Sequence, residues 1–435
     1  MIREKLLRDP VHDLIAFDLS RDEDRLLLAL IDTVEIQRLR RVKQLGMAHM
    51  AYQGAEHSRF SHSIGVLHLA RRMLAQVERQ VPAPQEWRVA TMAAALLHDV
   101  GHGPFSHVME KFFREDHERW SERVILSEHT EVNRVLRAFD PQLPKLVTRV
   151  IAGDSEPRWL SSLISSQMDA DRFDYLLRDS HMTGVKYGVF DLERLILLLR
   201  LHDDGERIVV ASKGLLPVEK YLQSRYHMYR QVYYHKTVTA AEAMLMAVLG
   251  RARDLAKETG AIPCVGENTP LFKVLSDGGL ELSDYLALDD SILLSAMNQW
   301  TRCNDAVLAD LSFRLLNRRL FKAIEVPTFD QVDVLFAERQ KSAGELLESH
   351  GLDARYYLRF SKSADHPYRP FSPTNANSTI WIQDDAHPGE LQDVKDVSPT
   401  IKAFTQSPYA IYRAFFPASV NGENLRRKLT TILGG

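Results

Sequence analysis

Ala95-Leu96-Leu97-His98-Asp99-Val100-Gly101-His102-Gly103-Pro104-Phe105-Ser106-His107 closes an apolar helix with an adjacent histidine-aspartate pair and then adds two more histidines. Neutral imidazole and carboxylate are the side chains that borderline divalent metals prefer, and Gly101 and Gly103 are expected to free the backbone to turn His98 and Asp99 toward one ion. A lone His-Asp pair carries little weight, because most buried histidines are hydrogen-bonded core residues. The pair needs partners elsewhere in the chain.

Partners stand on both sides. Upstream, Arg59-Phe-Ser-His62-Ser-Ile-Gly-Val-Leu-His68 reads as a helix start, with Ile64, Leu67 and Leu69 on its apolar side and His62 near its N-terminal end. Downstream, Asp169-Ala-Asp171-Arg172-Phe173-Asp174-Tyr175-Leu-Leu-Arg178-Asp179 puts Asp171, Tyr175 and Arg178 on one helical face. Three separated segments thus offer His62, His98, Asp99 and Asp171 to one metal. His68 reads as an ordinary helix histidine.

The rest of the chain fits a helical enzyme. Its 435 residues can bury a large core, and a net charge of -3 provides no global basic field, so composition does not favour nucleic acid as a partner. Cys264 and Cys303 are too few for a disulfide framework, and Met1-Ile-Arg-Glu-Lys5 lacks a signal-like apolar run, which points to the reducing cytoplasm. No apolar stretch has membrane-spanning length.

Helical periodicity runs over Asp22 to Leu45, Arg59 to Val81, Glu86 to His98, Ser121 to Phe139, Leu143 to Ile151, Met168 to Arg178, Leu192 to Leu201 and, as a long or broken helix, Glu219 to Glu258. Strand patterns are few: a hairpin within Val11 to Leu19, Arg207 to Ala211, Arg355 to Phe360 and Ser378 to Ile382, with a Pro- and Asn-rich loop over Asp365 to Asn377. The expected fold is mainly α: a helical catalytic core over 1–325, with the metal motifs in about 50–180, followed by a small α+β appendage over 326–435.

The ordered set H…HD…D is the signature of the HD phosphohydrolase superfamily. Asp9-Pro-Val-His12, Gln37-Arg-Leu-Arg40, Lys43-Gln44-Leu-Gly46, Gly54-Ala-Glu-His57-Ser-Arg59-Phe-Ser-His62, the His98 to His107 run and Asp169 to Asp179 together resemble the SAM-and-HD-domain deoxynucleoside triphosphate triphosphohydrolases, here with no SAM segment ahead of the HD core. The similarity continues through Arg225 to Lys236 and Arg318 to Lys322.

That resemblance implies cleavage between the 5′ oxygen and the α-phosphorus, leaving a deoxynucleoside and tripolyphosphate. The chemistry needs an activated water, neutralisation of phosphate charge and a proton for the leaving sugar oxygen. Mixed N and O ligands with open positions suit six-coordinate iron or manganese better than tetrahedral zinc, with nickel a further alternative, and magnesium would accompany the triphosphate. His107 and His117 are the candidates for proton transfer and phosphate contact, Glu118 would orient His117, and His102 would line the site. The loop ahead of His117 is shorter than in the animal members, which leaves His129 as an alternative to His117.

By the same resemblance Arg59, Arg172 and Arg225 contact the triphosphate, Gln44 and Tyr175 the deoxyribose, and Asp179 the 3′ hydroxyl, while Tyr233 closes off the 2′ position. Arg172 replaces a lysine of the animal enzymes and keeps the charge. An activating GTP or dNTP would bind between subunits through Lys5, Asp32, Gln37, Arg40, Lys236, Arg318 and Lys322, giving a homotetramer or dimer of dimers; Ala211 replaces a basic residue of that site. Other readings of the same motifs are another HD phosphohydrolase (a nucleotide phosphodiesterase, 5′-nucleotidase or nuclease) or a nonenzymatic nucleotide sensor.

Overall fold

Capping chemistry decides where several helices of this chain begin. The computed structural model describes residues 4–434 apart from 114, 277–278, 328–333, 366–367, 369–378, 385, 388, 407–408 and 421–422, with side chains also left undescribed at 107, 334–335, 365, 406, 409 and 423. β1 (Glu4–Asp9) and β2 (Asp13–Asp18) form an antiparallel hairpin that starts earlier than the sequence pattern suggests and buries Ile15 and Phe17. α1 (Asp22–Ile31) and α2 (Val34–Arg38) replace the single helix expected to run to Leu45. The break lies at Thr33, whose backbone turns extended while its hydroxyl donates to the Leu30 carbonyl at 2.7 Å.

Then come α3 (Arg59–Val77), α4 (Gln85–Leu97), α5 (His107–Phe113), α6 (His117–Leu126), α7 (Glu131–Phe139), α8 (Leu143–Ile151), α9 (Trp159–Ser162) and α10 (Ala170–Thr183). The helix expected over Ser121 to Phe139 is two helices. Thr130 caps α7 by accepting from the Asn133 amide at 3.1 Å and cannot continue α6 while doing so. α10 is capped by Asp169, which accepts from the Arg172 amide at 2.8 Å, and it stops at Gly184, whose φ of +78° only glycine adopts freely.

Beyond it lie α11 (Leu192–Leu197), β3 (Leu199–Leu201), β4 (Ile208–Ala211), α12 (Leu215–Met228), a π-helical turn at Tyr229–Tyr233, α13 (Lys236–Thr259), α14 (Pro270–Leu275), α15 (Leu282–Leu286), α16 (Asp290–Trp300) and α17 (Ala306–Leu316). The helical pattern over Leu192 to Leu201 thus ends in a strand, and the long pattern from Glu219 is interrupted by the π turn. The later strands include β5 (Lys322–Glu325), β6 (Arg359–Asp365), β7 (Trp381–Gln383), β8 (Leu391–Asp393) and β9 (Tyr409–Phe416). Tyr356 and Tyr357, expected in a strand, form a short helical turn capped by Asp353; the loop expected over 365–377 lies almost wholly outside the described residues.

The fold is mainly α with small sheets. α4 is buried on nearly every side from Val89 to Leu97 and forms the centre of one core, packed on α3 and α8. The sheets tie distant segments together: β7 pairs in parallel with β4, Ile382 opposite Val210, and β9 joins β5 to β6. Ile380, Ile382 and Val394 share a core with α3, α4 and α10, while Phe415 and Phe416 share the other with α5 and α13. Among the described residues no helix is long and apolar enough to cross a membrane.

Candidate metal centre

α3 packs against both α4 and α10, and this three-helix contact assembles the polar centre. His62 lies on the first turn of α3, His98 caps the end of α4 with Asp99 beside it, and Asp171 sits in the first turn of α10. The ligand atoms of His62, His98 and Asp171 lie within 4.8 Å of one another. His62 Nε2 is 3.1 Å from Asp171 Oδ1 and 3.7 Å from Asp99 Oδ2; His98 Nε2 is 3.8 Å from Asp171 and 3.4 Å from Asp99 Oδ1.

Both imidazoles are held by their far nitrogens. His62 Nδ1 bonds Asp174 Oδ2 at 2.8 Å, and His98 Nδ1 bonds the Ala95 carbonyl at 2.9 Å, so each ring aims Nε2 at the same space. His98 Nε2 is buried and has no hydrogen-bond partner among the described residues. A buried nitrogen left without a partner beside two carboxylates is what a cation ligand looks like without its cation, and the donor set fits a divalent transition metal. Asp174 is itself anchored by Arg178 at 2.8 and 2.9 Å and by His12 at 2.6 Å, and Arg178 also reaches Asp9 at 2.8 Å. Gly65 makes room for this cluster: a Cβ there would stand 1.9 Å from Asp174 Oδ1.

The charge balance favours a cation. Burial opposes a charged His62, yet hydrogen bonds to Asp171 and Asp174 outweigh it and push the ring up to about 10. Burial likewise opposes ionised Asp99 and Asp171, but the Arg59 guanidinium with His98 and His102 holds Asp99 well below the usual carboxylate range, and His62 and His98 do the same for Asp171.

The loop after Asp99 is shaped by space rather than by glycine dihedrals. Gly101 and Gly103 have no left-handed φ, contrary to expectation; a Cβ on Gly101 would meet the Ser121 amide at 2.2 Å and the His117 carbonyl at 2.3 Å, so its hydrogen lets the loop press against α6. The left-handed residues are Phe105 (φ 50°) and Ser106 (φ 46°). Ser106 Oγ accepts from Arg59 Nε at 2.8 Å, while Arg59 Nη1 donates to Asp99.

His102 and His117 stack with ring centroids 3.8 Å apart, and His102 Nε2 is 3.3 Å from Asp99. Glu118 does not orient His117. It is exposed one residue into α6, and Glu110 on α5 bonds His117 Nδ1 at 2.5 Å instead. Burial works against a charged His117, but the Glu110 bond raises it above its ordinary value, whereas burial and the Arg59 charge push His102 well below. His129 is exposed on the turn between α6 and α7; His107 begins α5, its side chain outside the described residues.

These groups open on a cavity of about 600 Å³. Arg59, Asp99, Asp171 and Arg172 line it at the metal end, with Gln44 and Tyr175 farther along. Asp179 accepts from Tyr233 Oη at 2.8 Å and is held by His57 Nε2 at 2.7 Å, and Tyr175 meets Tyr233 edge-on at 6.1 Å. Burial raises both tyrosines well above the ordinary range, so both hydroxyls stay protonated. Arg172 is turned partly back, donating to Asp169 and the Ser166 carbonyl, and Arg225 is buried with its guanidinium over the Tyr229 ring.

The remaining nucleotide candidates lie on the surface. Arg40 Nε donates to Gln37 Oε1 at 2.8 Å and its guanidinium covers Phe60; Lys5 lies on β1 and Asp32 at the end of α1. Lys236 starts α13, Arg318 Nε donates to the Met50 carbonyl at 2.8 Å, and Lys322 starts β5. Sequence reasoning passed over Asp174, Glu110 and His57 as working residues. Asp174 had a legible signal, three residues after Asp171 on one helix; Glu110 had none.

This geometry defines an HD-type phosphohydrolase centre, and comparison with known proteins agrees. The HD domain model matches residues 59–179 and the HD associated region matches 190–261. The chain is 39% identical to the Bacillus subtilis protein YwfO over 95% of its own length and 92% of that protein. It is similar to the solved structure of a Bacteroides thetaiotaomicron phosphohydrolase, with a TM-score of 0.81 at 29% identity over 95% of this chain and 99% of that one. It is also 26% identical to the deoxynucleoside triphosphate triphosphohydrolase SAMHD1 of Bos taurus, over 74% of this chain and 58% of that enzyme. The chain belongs to the HD-domain phosphohydrolase family, whose members are metal-dependent.

Proposed function

We propose that this protein hydrolyses deoxynucleoside triphosphates to deoxynucleoside and tripolyphosphate. The observation that carries the reading is the pairing, across one cavity, of the His62–His98–Asp171 cluster and the adjoining Asp99 with the Asp179–Tyr233–Tyr175 wall. That wall presents a carboxylate for a sugar hydroxyl and a phenol that crowds the neighbouring carbon, a combination suited to deoxyribose.

His62, His98, Asp99 and Asp171 would hold iron or manganese, which when bound polarises a phosphoryl oxygen and acidifies water. Arg59 and Arg172 face the triphosphate, which would carry magnesium, and Arg225 supports the Tyr229 side. His117, whose hold on its proton the Glu110 bond strengthens, hands that proton to the leaving 5′ oxygen, and His102 packs flat against it to fix the ring. Gln44, Tyr175 and Asp179 orient the sugar. The same reading places the protein in the cytoplasm as a homotetramer or dimer of dimers, with GTP or a dNTP bound near the paired Gln37 and Arg40 as activator.

The test is ion-exchange product analysis after incubating manganese-loaded protein with each dNTP, alone and mixed, with and without GTP. Deoxynucleoside plus tripolyphosphate, absent in Asp99→Ala, is the expected result. Metal-loaded protein that leaves every mixture intact would sink the reading.

A further inference from the structure

The corner between α15 and α16 lies outside the residues matched by either HD model, yet it grips the back of the loop that follows Asp99. Tyr285 Oη donates to the Gly101 carbonyl at 2.6 Å. The Leu288 carbonyl accepts from Arg38 Nε at 2.9 Å, and the same buried guanidinium donates through Nη1 to the His102 carbonyl at 2.9 Å. Asp290 Oδ1 accepts the Phe105 amide at 2.8 Å, and Asp290 Oδ2 accepts the Lys43 amide at 2.9 Å.

Asp290 is the carboxylate on which two cavity walls converge. Phe105 and Ser106 are consecutive non-glycine residues with left-handed φ, a conformation that persists only when its surroundings over-determine it. The Asp290–Phe105 bond supplies one restraint, the Arg59–Ser106 bond a second and a longer bond from Ser106 Oγ to the Lys43 carbonyl at 3.4 Å a third, and Arg59 continues to the metal-side carboxylate Asp99. On the second oxygen, Lys43 immediately precedes Gln44 on the cavity wall. A carboxylate meets both demands because its two oxygens accept from two backbone amides at once; an amide side chain has one acceptor and would turn its NH2 toward the other N–H.

We propose that Asp290 is a positioning residue that locks the Phe105–Ser106 turn, and through it Arg59 and Asp99, against the Lys43–Gln44 segment. The proposal rests on the metal-dependent phosphohydrolase reading of the centre, not on the identity of the substrate.

The experiment compares Asp290→Asn and Asp289→Asn with the parent protein. Asp289 caps α16 and pairs with Arg41 at 2.5 Å, so its variant keeps a capping oxygen but loses the ion pair at the same corner without touching the loop. Mn2+ affinity is measured by calorimetry in the absence of substrate, together with hydrogen exchange of the peptide spanning Phe105. Expected are a tenfold to hundredfold loss of Mn2+ affinity and faster exchange at Phe105 in D290N, with both unchanged in D289N. Unchanged affinity in D290N, or equal losses in both variants, would overturn the proposal. If D290N does not fold, Asp290→Glu, which keeps both acceptors but displaces them, is read the same way, and Mn2+ affinity equal to the parent would overturn it. A parent protein that binds no Mn2+ would instead remove the metal reading and the proposal with it.

Discussion

Asp174 Oδ2 accepts a hydrogen bond from His62 Nδ1 at 2.8 Å across 112 residues of chain, and in doing so fixes which nitrogen of His62 faces Asp171. The metal-side tautomer is therefore set on α10, not on α3. The carboxylate in turn depends on Arg178, which is buried and shared with Asp9.

Asp174→Asn is expected to lower metal affinity by about tenfold to a hundredfold, because the amide keeps one acceptor where the carboxylate had two and loses the charge that strengthens the bond holding the ring. Asp174→Ala is expected to do more, costing about 3–5 kcal/mol of stability by leaving the buried Arg178 charge half-paired. Metal titration of the first variant and thermal unfolding of the second check the two effects separately.

Gly65→Ala should act on the same cluster from the opposite side. The added methyl would overlap Asp174 and the Arg178 guanidinium, so the ion pair must shift, at a cost of about 1–3 kcal/mol with a parallel loss of metal. A fully stable, fully metallated G65A protein would contradict this packing.

Glu110 and Glu118 separate cleanly. Glu110→Gln is expected to lower kcat at least about tenfold with little change in KM, since His117 loses its charged partner, whereas Glu118→Gln should match the parent enzyme. Steady-state kinetics on the substrate identified by product analysis would show which glutamate serves the histidine.

Tyr233→Ala opens the wall beside Asp179. The ratio of kcat/KM for dATP over ATP is expected to fall at least about tenfold, as a steric filter is removed. An unchanged ratio would take Tyr233 out of sugar recognition.

His68 supplies a pH dependence away from the metal. Burial, then the charges of His12, Arg72 and Arg71, push it down to about 4. Its folded value lies below its unfolded value near 6.5, so the stabilisation is complete above about pH 6.5 and is lost as pH falls through about 4. Urea denaturation should show about 2 kcal/mol lost over that window, after allowance for screening at its partly exposed edge, and His68→Gln should flatten the curve.

The sequence by itself determined the helical class of the fold and brought forward His62, His98, Asp99 and Asp171, because ligand chemistry is written in residue type and order and amphipathic helices are written in periodicity. It also carried the family resemblance. Where helices break was less legible: Thr33 and Thr130 are ordinary letters in a helical pattern until their hydroxyls find backbone partners. Only the tertiary structure decided which carboxylate serves which histidine. Glu118 is the neighbour of His117 in the chain, yet Glu110 is its neighbour in space, and Asp290 reaches Phe105 from 185 residues away. Periodicity tells which face of a helix is apolar, but the rotation and approach of one helix against another follow from the packing of the whole core, and that packing assigns hydrogen bonds between residues that share no local pattern.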